Sequence, residues 1–159
     1  MLDKLVTGGQ TGADQAAWRA AAAFSVACGG WMPSGFLTED GCHPEFAERF
    51  GAAEMPTDSY SERTEQNVKE CDGTLWFGET PTLGARTTVE ACYRLGKPCL
   101  PVSPSASFEP LHVATWIMEN KIRILNVAGN REGEEPGIGD RVETFVGQVL
   151  EQLGHKCGA

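Results

Sequence analysis

Short apolar runs alternate with helical patterns along almost the whole chain. Strands are predicted at 4–7, 25–28, 73–77, 98–103 and 122–128, and helices at 13–24, 61–71, 86–95 and 108–121. A last helix is predicted from Val142 to Leu153, where apolar residues recur at the i, i+3, i+4, i+7 spacing of a buried face. Apolar strands separated by helices indicate a parallel sheet covered on both faces. We therefore predict a single Rossmann-like three-layer α/β domain over residues 1–159, with about five mainly parallel strands.

The loops that follow the strands are the places to look for a site. In such sheets, ligands bind beyond the carboxyl ends of the strands, where the strand order reverses. The connection from Gly29 to Tyr60 is far longer than the roughly 2–6 residues that usually join a strand to a helix. Its length predicts a functional segment, with about one helical turn near 44–50.

Charge narrows the range of partners. The chain has 13 Lys and Arg against 22 Asp and Glu, a net charge of −9 and an isoelectric point near 4.8. Such an acidic surface repels phosphate backbones and anionic membranes, so we expect neither nucleic acid nor membrane as a partner. An anionic ligand would have to be held by backbone N–H groups and a few well-placed arginines.

Cysteine usage and the first residues indicate a reducing compartment. No signal-peptide pattern precedes the first strand, and no apolar run reaches the ~20 residues of a membrane helix. The six cysteines include no CxxC pair, so we interpret them as reduced thiols of a cytoplasmic protein. His43, His112 and His155 are scattered, and we expect no metal to be bound directly by side chains.

A glycine-rich loop joins the first strand to the first helix. Such a loop can turn its N–H groups toward a ligand, and the helix N-terminus adds partial positive charge. The alternative is a tight turn without a ligand. The spacing matches neither a P-loop nor a dinucleotide fingerprint, which disfavours NTPase activity and NAD binding. The candidate ligand-binding residues of this loop are Gly8, Gly9, Gln10, Thr11, Gly12 and Asp14.

The second predicted strand is followed by Gly30 and Trp31. The indole of Trp31 is a candidate stacking surface for a planar ring, or else a cover for the core that needs no ligand.

The segment after the third strand contains a second candidate anion site. Gly84, Arg86, Thr87 and Thr88 stand at a predicted loop and helix start, where a guanidinium and two hydroxyls can hold a phosphate. Helix capping by the threonines is the alternative. Glu90, one turn further, is a candidate catalytic acid or base for cleaving a glycosidic bond, or a partner of the helix dipole.

Two further arginines follow strand ends. Arg63, with Thr64 beside it, lies in the first turn of a predicted helix, where the helix dipole disfavours a cation. That position favours a ligand or a carboxylate partner. Gly129 and Arg131 follow the fifth predicted strand, and Arg131 is a third candidate anion contact.

Several motifs occur in the order of a known family. They are Gly8-Gly9-Gln10-Thr11-Gly12-Ala13-Asp14, Gly29-Gly30-Trp31-Met32-Pro33-Ser34-Gly35, Glu39-Asp40-Gly41, Glu62-Arg63-Thr64-Glu65-Gln66-Asn67, Thr87-Thr88-Val89-Glu90, Gly96-Lys97-Pro98 and Leu125-Asn126-Val127-Ala128-Gly129. Over about residues 4 to 150, the chain resembles the putative molybdenum carrier family, a circularly permuted YpsA-like branch of the SLOG superfamily of Rossmann-like, nucleotide-ligand-binding domains.

The resemblance implies a small cytoplasmic homo-oligomer, a dimer or a tetramer. An algal relative is regarded as a carrier of molybdenum cofactor, a phosphorylated pterin dithiolene whose own sulfurs hold the metal. The superfamily also includes the LOG phosphoribohydrolases, whose glycine-rich stretch ends in Gly-Thr-x-x-Glu. Here Thr87 and Glu90 keep that spacing, and Arg86 stands where the glycine would be.

Three functions follow from these observations. The first is a non-catalytic carrier that binds a phosphorylated planar heterocycle, either molybdenum cofactor (molybdopterin) or a nucleotide, at the glycine-rich loops. The second is an enzyme that cleaves the N-glycosidic bond of a nucleoside monophosphate, with Glu90 as acid or base. The third is a regulatory or scaffolding oligomer for which the ligand is a signal.

Overall fold

A parallel sheet of six strands forms the centre of the molecule. The computed structural model describes residues 1–79, 81–103 and 108–158. The strands are β1 (Lys4–Val6), β2 (Ala27–Met32), β3 (Leu37–Thr38), β4 (Gly41–Cys42), β5 (Ala52–Glu54), β6 (Gly73–Phe77), β7 (Cys99–Val102) and β8 (Ile124–Gly129). The α-helices are α1 (Ala13–Ala23), α2 (Phe46–Phe50), α3 (Tyr60–Glu70), α4 (Leu83–Leu95), α5 (Pro110–Glu119) and α6 (Ile138–Gln152).

The order of the strands creates a crevice at one edge of the sheet. The order is β5-β2-β1-β8-β6-β7, and all neighbouring strands are parallel. The chain first moves outward from β1 through β2 to β5, and later forms β6 and β7 on the other side. β8 then enters between β1 and β6. The strand order reverses there, so the loops after β1, β6 and β8 meet at one point. The predicted Rossmann-like α/β fold is confirmed.

Two helical layers cover the sheet. In one layer α6 packs against α1 and α5, and in the other α3 packs against α4. α1 approaches its neighbours closely because its buried positions Ala16, Ala17, Ala20 and Ala21 carry only a methyl group. In the described part of the chain, no helix has the length and apolar character needed to cross a membrane.

Side chains and a glycine fix the ends of α3 and α4. The hydroxyls of Ser59 and Thr82 accept hydrogen bonds from backbone N–H groups at 3.2 Å in the first turns of α3 and α4. α4 ends at Gly96, which takes the left-handed conformation with φ +65°. Because Thr82 caps α4, the helix begins at Leu83, three residues before the predicted start. Arg86 therefore lies within the helix.

The long segment 29–60 is more ordered than predicted. It contributes β5, the sixth strand of the sheet, and a separate hairpin of β3 and β4. Moreover, β2 extends to Met32, so Gly30 and Trp31 belong to a strand rather than to a loop. Gly30 is required there because a Cβ atom would lie 2.0 Å from the carbonyl oxygen of Thr7, the residue that follows β1. Glycine in this strand indicates close strand packing, which the sequence pattern did not distinguish from a loop.

A buried aromatic cluster attaches this segment to α1. The ring of Trp18 stacks on Phe50 with 4.7 Å between centroids and meets the edge of Phe46 at 5.6 Å. Its indole N–H donates to the carbonyl oxygen of Gly29 at 2.8 Å. The cluster therefore positions α2, and with it β5, against the rest of the fold.

We expect Trp18→Ala to reduce the free energy of unfolding by about 3–5 kcal/mol, because it opens a cavity and removes one of the two hydrogen bonds that the carbonyl oxygen of Gly29 accepts. Tyr93→Ala, at a 90% exposed aromatic, is the control and should change it by less than about 0.5 kcal/mol. Urea denaturation of both variants measures the difference. Equal losses in the two variants would contradict the role of the cluster.

Candidate functional site

A cavity of about 360 Å³ opens where the strand order reverses. It collects residues from the loops after β1, β6 and β8 and from the first turns of α3 and α4, which begin at this same edge. The lining residues are Gln10, Asp14, Tyr60, Ser61, Arg63, Thr64, Trp76, Thr82, Leu83, Gly84, Thr87, Thr88, Ala128, Gly129, Arg131 and Glu134.

An ion pair between Arg63 and Asp14 forms the floor of the cavity. Nη1 of Arg63 lies 3.3 Å from Oδ2 of Asp14, and the two side chains are only 11% and 4% exposed. The same carboxylate oxygen accepts the backbone N–H of Gln10 at 3.2 Å. The guanidinium lies directly over Gly8, where a Cβ atom would be 1.3 Å from Nη1. Only glycine at this position leaves room for the arginine.

Burial changes the acid–base behaviour of this pair. It raises the pKa of Asp14 from 3.8 to about 6, although the charge of Arg63 and the hydrogen bonds from Gln10 and Gly8 oppose the change. Burial also lowers the pKa of Arg63, against the attraction of Asp14. An arginine nevertheless stays protonated in the ordinary pH range, so Asp14 is the member of the pair that titrates near neutrality.

A second arginine lies beside the same tyrosine ring as Arg63. The guanidinium carbons of Arg63 and Arg131 lie 5.5 and 5.7 Å from the ring centroid of Tyr60. Arg131 is balanced by carboxylates, with Nε 3.4 Å from Glu134 and 4.0 Å from Glu39. Two cations thus converge at one end of the cavity.

Two buried donors of this floor have no hydrogen-bond partner among the residues that the structure describes. They are Nε2 of Gln10 and Nε of Arg63. The orientation of the Gln10 amide is fixed, because its oxygen accepts the backbone N–H groups of Thr11 at 3.0 Å and Glu39 at 2.9 Å. Buried donors are costly when unsatisfied, and both of these belong to side chains that line the cavity, so the pair points to an acceptor that binds there.

The other end of the cavity is less polar. Trp76, Leu83 and Ala128 line it, together with the backbone of Gly84 and Gly129. A cavity with an apolar end and a cationic end suits an amphipathic ligand that carries a flat ring and an anionic group.

The structure brings nine of the sequence candidates together around this cavity. They are Gln10, Asp14, Arg63, Thr64, Gly84, Thr87, Thr88, Gly129 and Arg131. The candidates that it places outside the lining are Gly8, Gly9, Thr11, Gly12, Gly30, Trp31, Arg86 and Glu90.

The glycine-rich loop makes room for other parts of the protein. Gly9 contacts the side chain of Met32, and a Cβ atom on Gly12 would lie 2.5 Å from the carbonyl oxygen of Asn130. The hydroxyl of Thr11 donates to the carboxylate of Glu39, which also accepts the backbone N–H of Gly133 at 2.9 Å. These residues build the walls behind the cavity.

Trp31 lies away from the cavity. Its indole N–H donates to Glu70 at 2.7 Å, and its backbone exchanges hydrogen bonds with the side chain of Asn67 in α3. The aromatic residues that line the cavity are Tyr60 and Trp76, and Trp31 is not among its lining residues.

Arg86 and Glu90 pair with each other on the outer face of α4. Nε of Arg86 lies 3.0 Å from Oε1 of Glu90, and the side chains are 75% and 64% exposed. Because α4 begins at Leu83, its inner face carries Thr87 and Thr88 instead. The hydroxyl of Thr88 is occupied by the carbonyl oxygen of Gly84 at 2.9 Å, so Thr87 has the freer hydroxyl.

Sequence reasoning missed seven of the lining residues, which are Tyr60, Ser61, Trp76, Thr82, Leu83, Ala128 and Glu134. One signal was available, because Tyr60 precedes Arg63 by three residues and therefore shares its helical face. Trp76 offered a weaker signal, since it lies one residue before the end of a buried strand. In the residues that the structure describes, no three His, Cys, Asp or Glu side chains form a cluster suited to a metal ion.

A cavity at the reversal of a parallel sheet is where proteins with a Rossmann-like fold commonly bind their ligands. The sequence model of the circularly permutated YpsA SLOG family matches residues 5–150, and the chain belongs to this family. The fold is also similar to the crystal structure of "Putative molybdenum carrier protein" from Syntrophus aciditrophicus SB. The two share 36% identity and a TM-score of 0.81, with 96% of this chain and 94% of that chain covered. A search of curated proteins finds no match.

We expect Gly8→Ala to displace Arg63 and to lower the free energy of unfolding by about 3 kcal/mol or more, because the carboxylate of Asp14 loses its partner while it is buried. Gly84→Ala is the control, since a Cβ atom there meets Trp76 at an ordinary 3.6 Å, and should change stability by less than about 1 kcal/mol. Denaturant titrations of both variants check this. A Gly8→Ala protein as stable as the control would contradict the placement of Arg63.

Proposed function

We propose that the protein is a carrier that binds a phosphorylated planar heterocycle in this cavity, with molybdenum cofactor as the favoured cargo and a nucleotide as the other candidate. The anionic group binds between Arg63 and Arg131, and the ring lies toward Trp76 and Leu83. The observation that carries the proposal is the pair of buried donors on Gln10 and Arg63, which have no hydrogen-bond partner among the described residues, together with the presence of Arg131 beside the same Tyr60 ring as Arg63.

The local charges support an anionic ligand in an acidic protein. With a net charge of −9, the protein does not attract anions by its overall field. Arg131 is held by Glu134 at 3.4 Å, a pair whose members are about one-third exposed. A phosphate that accepts two N–H groups from a guanidinium in one plane can replace this weak contact.

The cavity size and lining support a small planar ligand. A volume of about 360 Å³ lies within the roughly 300–1,000 Å³ usual for ligand pockets. Tyr60 and Trp76 provide aromatic faces at its wall. If molybdenum cofactor is the cargo, its dithiolene sulfurs hold the metal, and the residues of this chain bind the phosphate and the pterin.

The family and the related structure add to this support. The Syntrophus protein is named as a molybdenum carrier, and the similarity extends over nearly the whole of both chains. As the resemblance implies, the proposal places the carrier in the cytoplasm as a homo-oligomer. The position of Glu90 favours binding over hydrolysis, because the carboxylate assigned to N-glycosidic bond cleavage is exposed and paired with Arg86 outside the cavity.

The identity of the cargo is tested by purifying the protein from a host that makes molybdenum cofactor, denaturing it and analysing the released molecules by mass spectrometry. We expect a phosphopterin with stoichiometric molybdenum. A released nucleotide would assign the second candidate. A protein that releases nothing and binds neither phosphopterin nor nucleotide when they are added back would contradict the proposal.

The location of the anion is tested with 2-naphthyl phosphate, a fluorescent planar ring with a phosphate group. We expect Arg131→Gln to weaken its binding at least ~10-fold, because a hydrogen bond to a charged group contributes about 1.5–3 kcal/mol. Arg86→Gln is the control, since it removes the same charge from the exposed face of α4, and should change affinity less than ~2-fold. Equal effects of the two variants would place the anion elsewhere.

A further inference from the structure

We propose that Asp14 takes up one proton when an anionic ligand binds at Arg63, so that the cavity holds its ligand at mildly acidic pH and releases it as the pH rises. This inference rests on the proposed anion site and adds a means of regulating it. The inference rests on geometry, because the buried carboxylate of Asp14 is paired with Arg63, which is the arginine that the proposed ligand contacts.

The geometry makes the ligand and Asp14 compete for one cation. Asp14 is bound to Nη1 of Arg63 at 3.3 Å, while Nε of the same guanidinium has no partner in the described residues. An anion that accepts from Nε therefore lies on the far side of the same guanidinium group from the carboxylate. The single positive charge is then shared between two negative groups in a region from which water is largely excluded.

The other charged groups around the pair do not replace Arg63 as the partner of Asp14. From α3, Tyr60 faces the guanidinium, and from the segment after β8, Arg131 lies 5.7 Å from the centroid of the Tyr60 ring. The carboxylates of Glu134 and Glu39 face Arg131 and balance its charge. From the loop after β1, Asp14 receives only backbone N–H groups, including that of Gln10 at 3.2 Å.

The sign of the pH effect follows from linkage. In the ligand-free protein, burial raises the pKa of Asp14 to about 6. A bound anion adds negative charge nearby and raises this pKa further, so the complex binds a proton that the free protein lacks at neutral pH. Affinity is therefore highest below about pH 6. Above it, the dissociation constant rises by up to ~10-fold per pH unit, until the carboxyl is ionised in the complex as well.

The experiment uses 2-naphthyl sulfate, because its sulfate group, unlike a phosphate, does not titrate near neutral pH. Binding is measured by calorimetry from about pH 5 to about pH 8 in bis-tris and in Tris, two cationic buffers with different ionisation enthalpies. The dependence of the heat on the buffer gives the number of protons taken up by the unmodified protein. We expect this number to approach one near pH 7, together with the predicted loss of affinity at higher pH.

Asp14→Asn keeps the size of the side chain and removes its charge. We expect this variant to take up no proton, to bind 2-naphthyl sulfate with little dependence on pH, and to bind at about pH 8 at least as tightly as the unmodified protein. Asp140→Asn, at an exposed aspartate in the first turn of α6, is the matched control and should keep the proton uptake. If Asp14→Asn does not fold, a lack of proton uptake by the unmodified protein still overturns the inference, and uptake that sets in above about pH 6 supports it.

The possible results separate this inference from the proposed function. Binding that requires Arg131 but takes up no proton and is independent of pH would overturn the role of Asp14 and leave the anion site in place. Proton uptake that persists in Asp14→Asn would also overturn it, since another group would then be titrating. Failure of 2-naphthyl sulfate and 2-naphthyl phosphate to bind at any pH would overturn the anion site and this inference together.

Discussion

The buried ion pair of Arg63 and Asp14 is the interaction on which the candidate site depends. It joins the first turn of α3 to the first turn of α1 across the edge of the sheet, and it fits only because Gly8 has no side chain. Buried pairs of this kind add little net stability compared with apolar residues of the same size, although breaking one is costly. Its main consequence is positional, because it holds at the floor of the cavity a guanidinium whose Nε–H has no partner in the described part of the chain.

The proposed anion site is compatible with the acidic character of the protein. Each cation near the cavity already has a carboxylate beside it, Asp14 for Arg63 and Glu134 with Glu39 for Arg131. The positive charges are thus neutralised until a ligand arrives. Affinity then comes from short, directed contacts in a partly dry cavity rather than from a long-range field, which favours a ligand with one compact anionic group.

The sequence predicted the fold and the edge that carries the cavity, because periodicity determines strands and helices, and parallel sheets bind ligands where their order reverses. The sequence also predicted a ligand or a carboxylate partner for Arg63, because a cation in the first turn of a helix opposes the helix dipole. It could not separate two uses of glycine. A glycine-rich loop looks the same whether it admits a ligand or, as at Gly8, the side chain of an arginine. Nor could the sequence predict that the side chain of Arg86 lies on the outer face of α4. Thr82 determines where this helix begins, and packing determines which of its faces is turned toward the cavity.

A crystal structure of the protein with 2-naphthyl phosphate would test the central claim most directly. We expect a phosphate within hydrogen-bond distance of Nε of Arg63 and Nε2 of Gln10. We also expect Arg131 to have turned from Glu134 toward the phosphate, and the naphthyl ring to lie against Trp76. A phosphate bound at the glycine-rich loop beside Thr11, or at Arg86 on the outer face of α4, with the floor of the cavity unchanged, would contradict this claim.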